Sequence, residues 1–281
     1  MAIRITSDST CDLGELVEKY DIKIIPLNVL LGDDNFQDGV NIHPKDIFDY
    51  VEKTKTLPKT SARSVVDYEE FFQSVMKDSK DEIIHFSISS KSSVSHNVAK
   101  TASESFKGKV RVIDSKALSS GQGLLVLKAC ELRDEGKSAK EIEKIILGLL
   151  DKVNTSFIPD HLDYLYKGGR CSKMAMYGAN FLGIHPLIAE SDGQLIVKRK
   201  YKGSMKRCIS HYVEDLYHEY PEYDKTRCFV THSCADPELV ELAKTKVKEL
   251  FHFDEVLVTV AGSVVTGHCG RNTLGVLFIA K

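Results

Sequence analysis

No stretch of this sequence approaches the roughly 18 apolar residues that a membrane span needs, so stable membrane insertion is not expected. Residues Met1 to Asp8 pass directly into a strand-like alternation, without the apolar run of a secretory signal. The expectation is a soluble, cytoplasmic protein. A basic excess is missing too: 38 Lys and Arg stand against 40 Asp and Glu, a formal net charge of −2. Nucleic acid, whose binding draws on neutralised phosphates, is therefore excluded as a partner. The cations are dispersed, so no segment reads as a basic membrane-surface helix.

Cys-x-x-Cys is absent, and the seven cysteines, scattered from Cys11 to Cys269, read as reduced thiols. Cys228, His232 and Cys234 share a strand face by parity, but strand neighbours without a fourth ligand do not make a tetrahedral site. No metal and no cofactor are expected. The chain also lacks a Gly-x-Ser-x-Gly elbow, a phosphate-binding P-loop, Gly-x-Gly-x-x-Gly and His-Glu-x-x-His. Cys11 has no assignable base and reads as a packed thiol. Asp8 and Asp114, each just past a strand, read as carboxylates that pin loops or cap helices, with a metal or base role as the less favoured alternative. No catalytic residue is assigned.

What is present is an α/β pattern. The chain has 281 residues, 42% hydrophobic and 28% charged, enough for two domains with real cores. In the first half, strand patterns over 2–7, 23–31, 82–86 and 110–113 alternate with helical spacing over 13–20, 43–53, 67–77 and 95–106. Helices over 119–135 and 138–153 follow. In the second half, 184–190 and 195–200 flank Asp192-Gly193, a hairpin signal. Helices over 204–217 and 237–251 and strands over 227–233, 255–260 and 274–280 complete it. Two α/β domains are expected. Residues 1–155 would hold a mainly parallel sheet with helices on both faces, and residues 156–281 a mixed sheet.

Hydroxyls cluster where such a sheet binds ligands. Ser7-Asp8-Ser9-Thr10, the run Ser87 to Ser95 with its six serines, and Asp114-Ser115 each follow a strand and lead into a helix. Carboxyl ends of parallel strands and helix N-termini both favour an anion. A single Ser or Asp there is an ordinary cap, and Ser9, Asp12 and Ser138 are read as no more than that. Six serines exceed what one cap requires. Thr60-Ser61 adds hydroxyls from another loop. Further on, Gly168-Gly169-Arg170 breaks a helix and presents a cation, Lys198 to Lys202 is the densest basic stretch, and Gly267-His268-Cys269-Gly270 reads as a glycine turn. The residues alone leave two readings open: a lipid carrier, or an enzyme acting on a small phosphorylated or carboxylated metabolite.

Taken in order, Asp8-Ser9-Thr10, Thr60-Ser61, Ile88-Ser89-Ser90-Lys91 with Ser93, Val112 to Ser115, Leu165 with Gly168-Gly169-Arg170, and His268-x-Gly270 with Leu274-Gly275-Val276 resemble the DegV family of bacterial fatty-acid-binding proteins. The resemblance implies a two-domain carrier of one long-chain fatty acid, with no catalytic machinery of its own. It implies that hydroxyls at Ser61 and Ser93, with Thr60 and Ser92 beside them, hold the carboxylate. Arg170, Lys202 and His268 would flank the mouth and face a separate ATP-binding kinase subunit, which phosphorylates the carboxylate in some members. Departures occur at Ala62-Arg63 after Thr60-Ser61, at Val94 after Ser93, at Arg271-Asn272, and at Lys202 where an arginine is expected.

Overall fold

The computed structural model describes residues 2–171 and 183–281. The chain opens with β1 (Ile3–Asp8), the one-turn helix α1 (Leu16–Lys19) and β2 (Lys23–Ile25). A hairpin of β3 (Asn28–Leu31) and β4 (Asp34–Gln37) leads to α2 (Pro44–Thr54), β5 (Lys59–Ser61) and α3 (Val65–Val75). Then come β6 (Glu82–Ser87), α4 (Ser95–Ser103), β7 (Val110–Asp114), α5 (Ser120–Asp134) and α6 (Ala139–Leu147). The second half runs β8 (Val153–Asn154), β9 (Ser156–Ile158), α7 (Asp163–Lys167), β10 (Ile184–Ser191), β11 (Gln194–Lys202) and α8 (Met205–Glu219). It ends with β12 (Tyr223–Ser233), α9 (Pro237–Leu250), β13 (Glu255–Val260), α10 (Ser263–Cys269) and β14 (Thr273–Ala280).

Three sheets result. The first, in the order β2-β1-β6-β7, is wholly parallel. Its order reverses between β1 and β6, so the crevice at the ends of those two strands is where an open α/β sheet takes a ligand. The second sheet runs β11-β10-β9-β14-β12-β13, with β8 also on β14. It is mixed: β12 and β13 are parallel, and the other pairs are antiparallel. The third, β4-β3-β5, is a small antiparallel sheet. The architecture is the α/β class expected, with a parallel and a mixed sheet.

Helix α5 sits between the two larger sheets. Leu124, Leu125, Val126, Leu127 and Ala129 are all buried, in one cluster with Ile5 and Phe86 of the first sheet and Phe229 and Leu277 of the second. A helix apolar on every side is a core helix, and each large side chain removed from water there contributes ~1.5–3 kcal/mol. Gly123 permits the approach, since a Cβ there would stand 2.7 Å from the Cys11 carbonyl oxygen.

Three local expectations are corrected. The run over 23–31 is two strands in different sheets, because Pro26 has no N–H to continue a ladder and breaks the run between β2 and β3. Thr60-Ser61 lies in a strand, with Thr60 opposite Val29 and Ser61 opposite Asn28. His268 stands in the last turn of α10, not in a glycine turn; only Gly270, at φ 78°, is left-handed. The Asp192-Gly193 turn is as expected, both residues having positive φ (47° and 80°) as the tight hairpin requires. Among the described residues no helix is long and apolar enough to cross a membrane.

Candidate functional site

The crevice is organised by buried carboxylates. Asp8 is fully buried and accepts from the Ile88 N–H (2.8 Å), the Thr10 hydroxyl (2.6 Å) and the Gln122 amide (3.1 Å). Burial pushes its carboxyl up while these donors pull it back. Asp8 thus ties the end of β1 to the end of β6. Asp114 does the same one strand over, accepting from the Ser90 N–H (3.1 Å) and the Lys116 N–H (3.0 Å). Both carboxylates pin loops. Cys11 is buried, which pushes its thiol up to about 12, so it is protonated and packed rather than nucleophilic. Among the described residues no group of three or more His, Cys, Asp or Glu is placed to hold a metal ion.

Two expected caps do something else. The Ser9 hydroxyl donates to Asp38 (2.8 Å) and accepts from the Leu27 N–H. Asp12 accepts from the Ser119 hydroxyl (2.5 Å) and from the Gly262 N–H (2.8 Å), while Asp38 accepts from the Ser263 N–H (2.7 Å). The pair therefore holds the start of α10, an assignment that composition and spacing did not reveal because the partners lie more than 200 positions apart. Ser138 does cap α6, in a capping box with Glu141.

Above this floor lies a cavity of about 440 Å³, within the ~300–1,000 Å³ usual for small-molecule sites. Thr60, Ser61, Ser92, Ser93, Arg170 and His268 all line it, alongside Leu27, Ile88, Leu118, Leu165, Leu195 and Val264. Six of the seven predicted binding or mouth residues are thereby brought together from β5, the β6–α4 loop, the segment after α7, and α10. Lys202 is not: it is exposed at the end of β11, opposite Ile184. An adjoining space of about 270 Å³ shares Leu165, Arg170 and Leu195 with the cavity and continues along Ile188 and Val197.

Several of these polar groups are locally held. Thr60 Oγ1 lies 2.9 Å from His268 Nε2, and the other ring nitrogen, Nδ1, is buried with no hydrogen-bond partner among the described residues. Gly168 packs on that ring; a Cβ there would come within 2.4 Å of Nδ1. Ser93 Oγ pairs with Ser95 Oγ at 2.9 Å and accepts from the Ser95 N–H, so it also helps start α4. Ser61 Oγ accepts from the Asn28 amide. Arg170 is about half-buried and donates from Nη1 to the Gly168 carbonyl (2.5 Å), and among the described residues it has no ion-pair partner. Arg63 is committed elsewhere, to Asn28 (3.0 Å) and Asp67 (2.9 Å). Arg271 lies over the Phe48 ring.

Burial and the nearby Arg170 charge lower His268 from 6.5 to about 4, so its imidazole is neutral at physiological pH. The sign of the linkage follows: an unfolded chain binds this proton first, so the stability His268 contributes is present above pH 6.5 and is lost as pH falls toward 4. Denaturant midpoints at pH 7 and pH 5 should therefore drop more in the native protein than in His268→Gln. Equal drops would show that the ring is not held neutral.

Comparison with known proteins finds similarity along nearly the whole chain. The family model described as "Uncharacterised protein, DegV family" matches residues 2–281. A DegV domain-containing protein of Clostridium acetobutylicum is 32% identical, covering 99% of each chain. A protein of Thermotoga maritima described as a fatty acid-binding protein is 31% identical over 98% of this chain and 96% of its own. The solved structure of a fatty-acid-binding DegV family protein from Thermus thermophilus superposes with a TM-score of 0.92 at 26% identity, covering 100% of both chains.

Proposed function

This chain belongs to the DegV family, and from that premise we propose that it binds one long-chain fatty acid, the carboxylate on the hydroxyls of the cavity and the tail along its apolar walls. The observation that carries the reading is the lining itself: five hydroxyls (Thr60, Ser61, Ser90, Ser92 and Ser93), Lys91, and one guanidinium without an ion-pair partner among the described residues share a single cavity with aliphatic side chains. A small polar metabolite would leave those aliphatic walls uncovered, which weighs against the enzyme alternative. Relatives and structural neighbours described by what they bind support the carrier, since the binding named is of fatty acid. We read residues 1–155 as the part that holds the carboxylate and 156–281 as the part that covers the chain.

The division of labour follows from magnitudes. A sixteen-carbon tail yields on the order of 10 kcal/mol at ~0.8 kcal/mol per methylene, before association costs. Each hydroxyl to a carboxylate adds ~1.5–3 kcal/mol. The tail supplies affinity, and the hydroxyls decide which end faces the opening. Arg170 and His268 stand in the lining, so in this reading they would flank the carboxylate, and the exposed Lys202 would lie on the outer surface that a kinase subunit meets. In that extended role the carboxylate oxygen attacks the γ-phosphorus of ATP held by the partner, the bond to the leaving ADP breaks, and an acyl phosphate forms. Among the described residues no cluster of His, Cys, Asp or Glu is placed to hold a metal ion, so in this reading the phosphate cradle and its metal belong to the partner.

Native mass spectrometry of the purified protein should show an adduct of fatty-acid mass; an adduct-free protein that takes up no added fatty acid would overturn the reading. Incubated alone with ATP and magnesium, the loaded protein should give no hydroxylamine-trappable acyl phosphate. Product without a second protein would make the chain an enzyme.

A further inference from the structure

The serine run after β6 has a hub that is not itself in the cavity lining. Ser89 is buried. Its carbonyl accepts from the N–H groups of both Ser92 (2.9 Å) and Ser93 (3.0 Å), and its own N–H donates to the Ala117 carbonyl. Its hydroxyl accepts from the Lys91 N–H (3.2 Å) and donates to the carbonyl of Gly193 (2.7 Å), 104 positions away. Every backbone and side-chain polar atom of Ser89 is thus engaged, and two of the bonds set where Ser92 and Ser93 stand.

The far end of that last bond is built to receive it. Gly193 is the second residue of the β10–β11 turn, at φ 80°, and a Cβ there would stand 2.7 Å from Ser89 Oγ. The Gly193 N–H donates to the Glu190 carboxylate across the turn. Asp192 accepts from Lys116 Nζ (3.0 Å), which also reaches Asp151 (3.1 Å). Beyond the turn, Leu195 enters the cavity lining. The hairpin of the second sheet is therefore moored to the serine loop of the first by a buried hydrogen bond, with a Lys116 bridge on the outside.

We infer that Ser89 is a positioning residue for the ligand's head group, and that the β10–β11 turn is the anchor through which it acts. With the turn docked, Ser89 has one allowed orientation and the loop presents Ser92 and Ser93 to the cavity. With the turn displaced, the Ser89 hydroxyl loses its buried acceptor and the loop loses its fixed course. The inference rests on the fatty-acid reading for its ligand, but the geometry of the loop does not.

Two measurements test it. The first needs no lipid: in Ser89→Ala, amide hydrogen exchange at Ser92 and Ser93 should speed at least tenfold, with α6 unchanged, and Lys116→Met should move the same amides in the same direction by less. Unchanged exchange at Ser92 and Ser93 would overturn the inference whatever the protein binds. The second is a double-mutant cycle on palmitate affinity with Ser89→Ala and Ser93→Ala. If Ser89 acts by placing Ser93, its loss should weaken palmitate about tenfold in the native background and less than threefold once Ser93 is gone. Independent, multiplying effects would assign Ser89 a general structural role and overturn the inference. Ser89→Thr, which keeps the hydroxyl, should recover most of the affinity. Native protein that binds no palmitate would defeat the fatty-acid reading instead, leaving the exchange result to decide the role of Ser89.

Discussion

Thr60→Val combined with Ser93→Ala should weaken fatty-acid binding by on the order of 10²–10⁴-fold, because two hydroxyls to a carboxylate carry ~1.5–3 kcal/mol each. Valine preserves the shape of Thr60 while removing both the hydroxyl and its 2.9 Å contact with His268. The alanine removes an oxygen that also accepts from the Ser95 N–H at the start of α4, so about 1 kcal/mol of the effect falls on stability. The decisive control is a fatty alcohol of equal chain length. It fills the same apolar walls without a carboxylate, so its affinity should change far less than the acid's. Isothermal titration with both ligands separates head from tail. A double variant that loses acid and alcohol equally would show that the hydroxyls act on the shape of the cavity rather than on the charge. Ser61→Ala, whose oxygen is taken up by Asn28, should have the smaller single effect.

The parts legible in the sequence were those whose causes are local. β1, β6 and β7 announce themselves by apolar alternation ending in hydroxyls, and their pairing in one parallel sheet puts those hydroxyls together at one edge. The Asp192-Gly193 turn is written in two residues that tolerate positive φ. β5 is not legible, since Lys59-Thr60-Ser61 is short and polar and becomes a strand only because β3 lies beside it. α10 was hidden because its seven residues include β-branched Val264, Val265 and Thr266 and end between glycines, a composition that favours strand or turn. Its helical form depends on carboxylates brought from elsewhere in the chain. Lys202, set at the site mouth with the family resemblance, is exposed at the end of β11 opposite Ile184 and does not line the cavity. Non-local partners decide β5 and α10, and spacing along the chain does not encode them.

The largest stability effect should come from one of those remote carboxylates. Asp12 is buried, sits in the left-handed region at φ 49°, and accepts from the Ser119 hydroxyl and the Gly262 N–H. Replacing it with alanine strands both donors and loses a residue type that tolerates that backbone conformation better than alanine does. With Asp38 it holds the start of α10, whose other end carries His268 and Cys269, so the loss reaches the cavity. Asp12→Ala should lower the thermal midpoint by roughly 6–12 °C, taking ~3 kcal/mol lost and ~2–4 °C per kcal/mol for a chain of this size, and should weaken fatty acid as well. Asp12→Asn keeps an acceptor for Gly262 and should lose less than half as much. The pH dependence has a definite sign. Burial, and to a lesser degree the neighbouring Asp38 charge, push the Asp12 carboxyl well above its ordinary range. Its contribution to folding is therefore largest at acid pH and is lost as pH rises through the folded value. Asparagine has no charge to desolvate, so the gap between Asp12→Asn and the native protein should narrow, or reverse, as pH is raised. Thermal unfolding of both proteins across pH 5 to 9 reads this directly, and a gap that widens with pH would mean that Asp12 holds α10 chiefly through its negative charge.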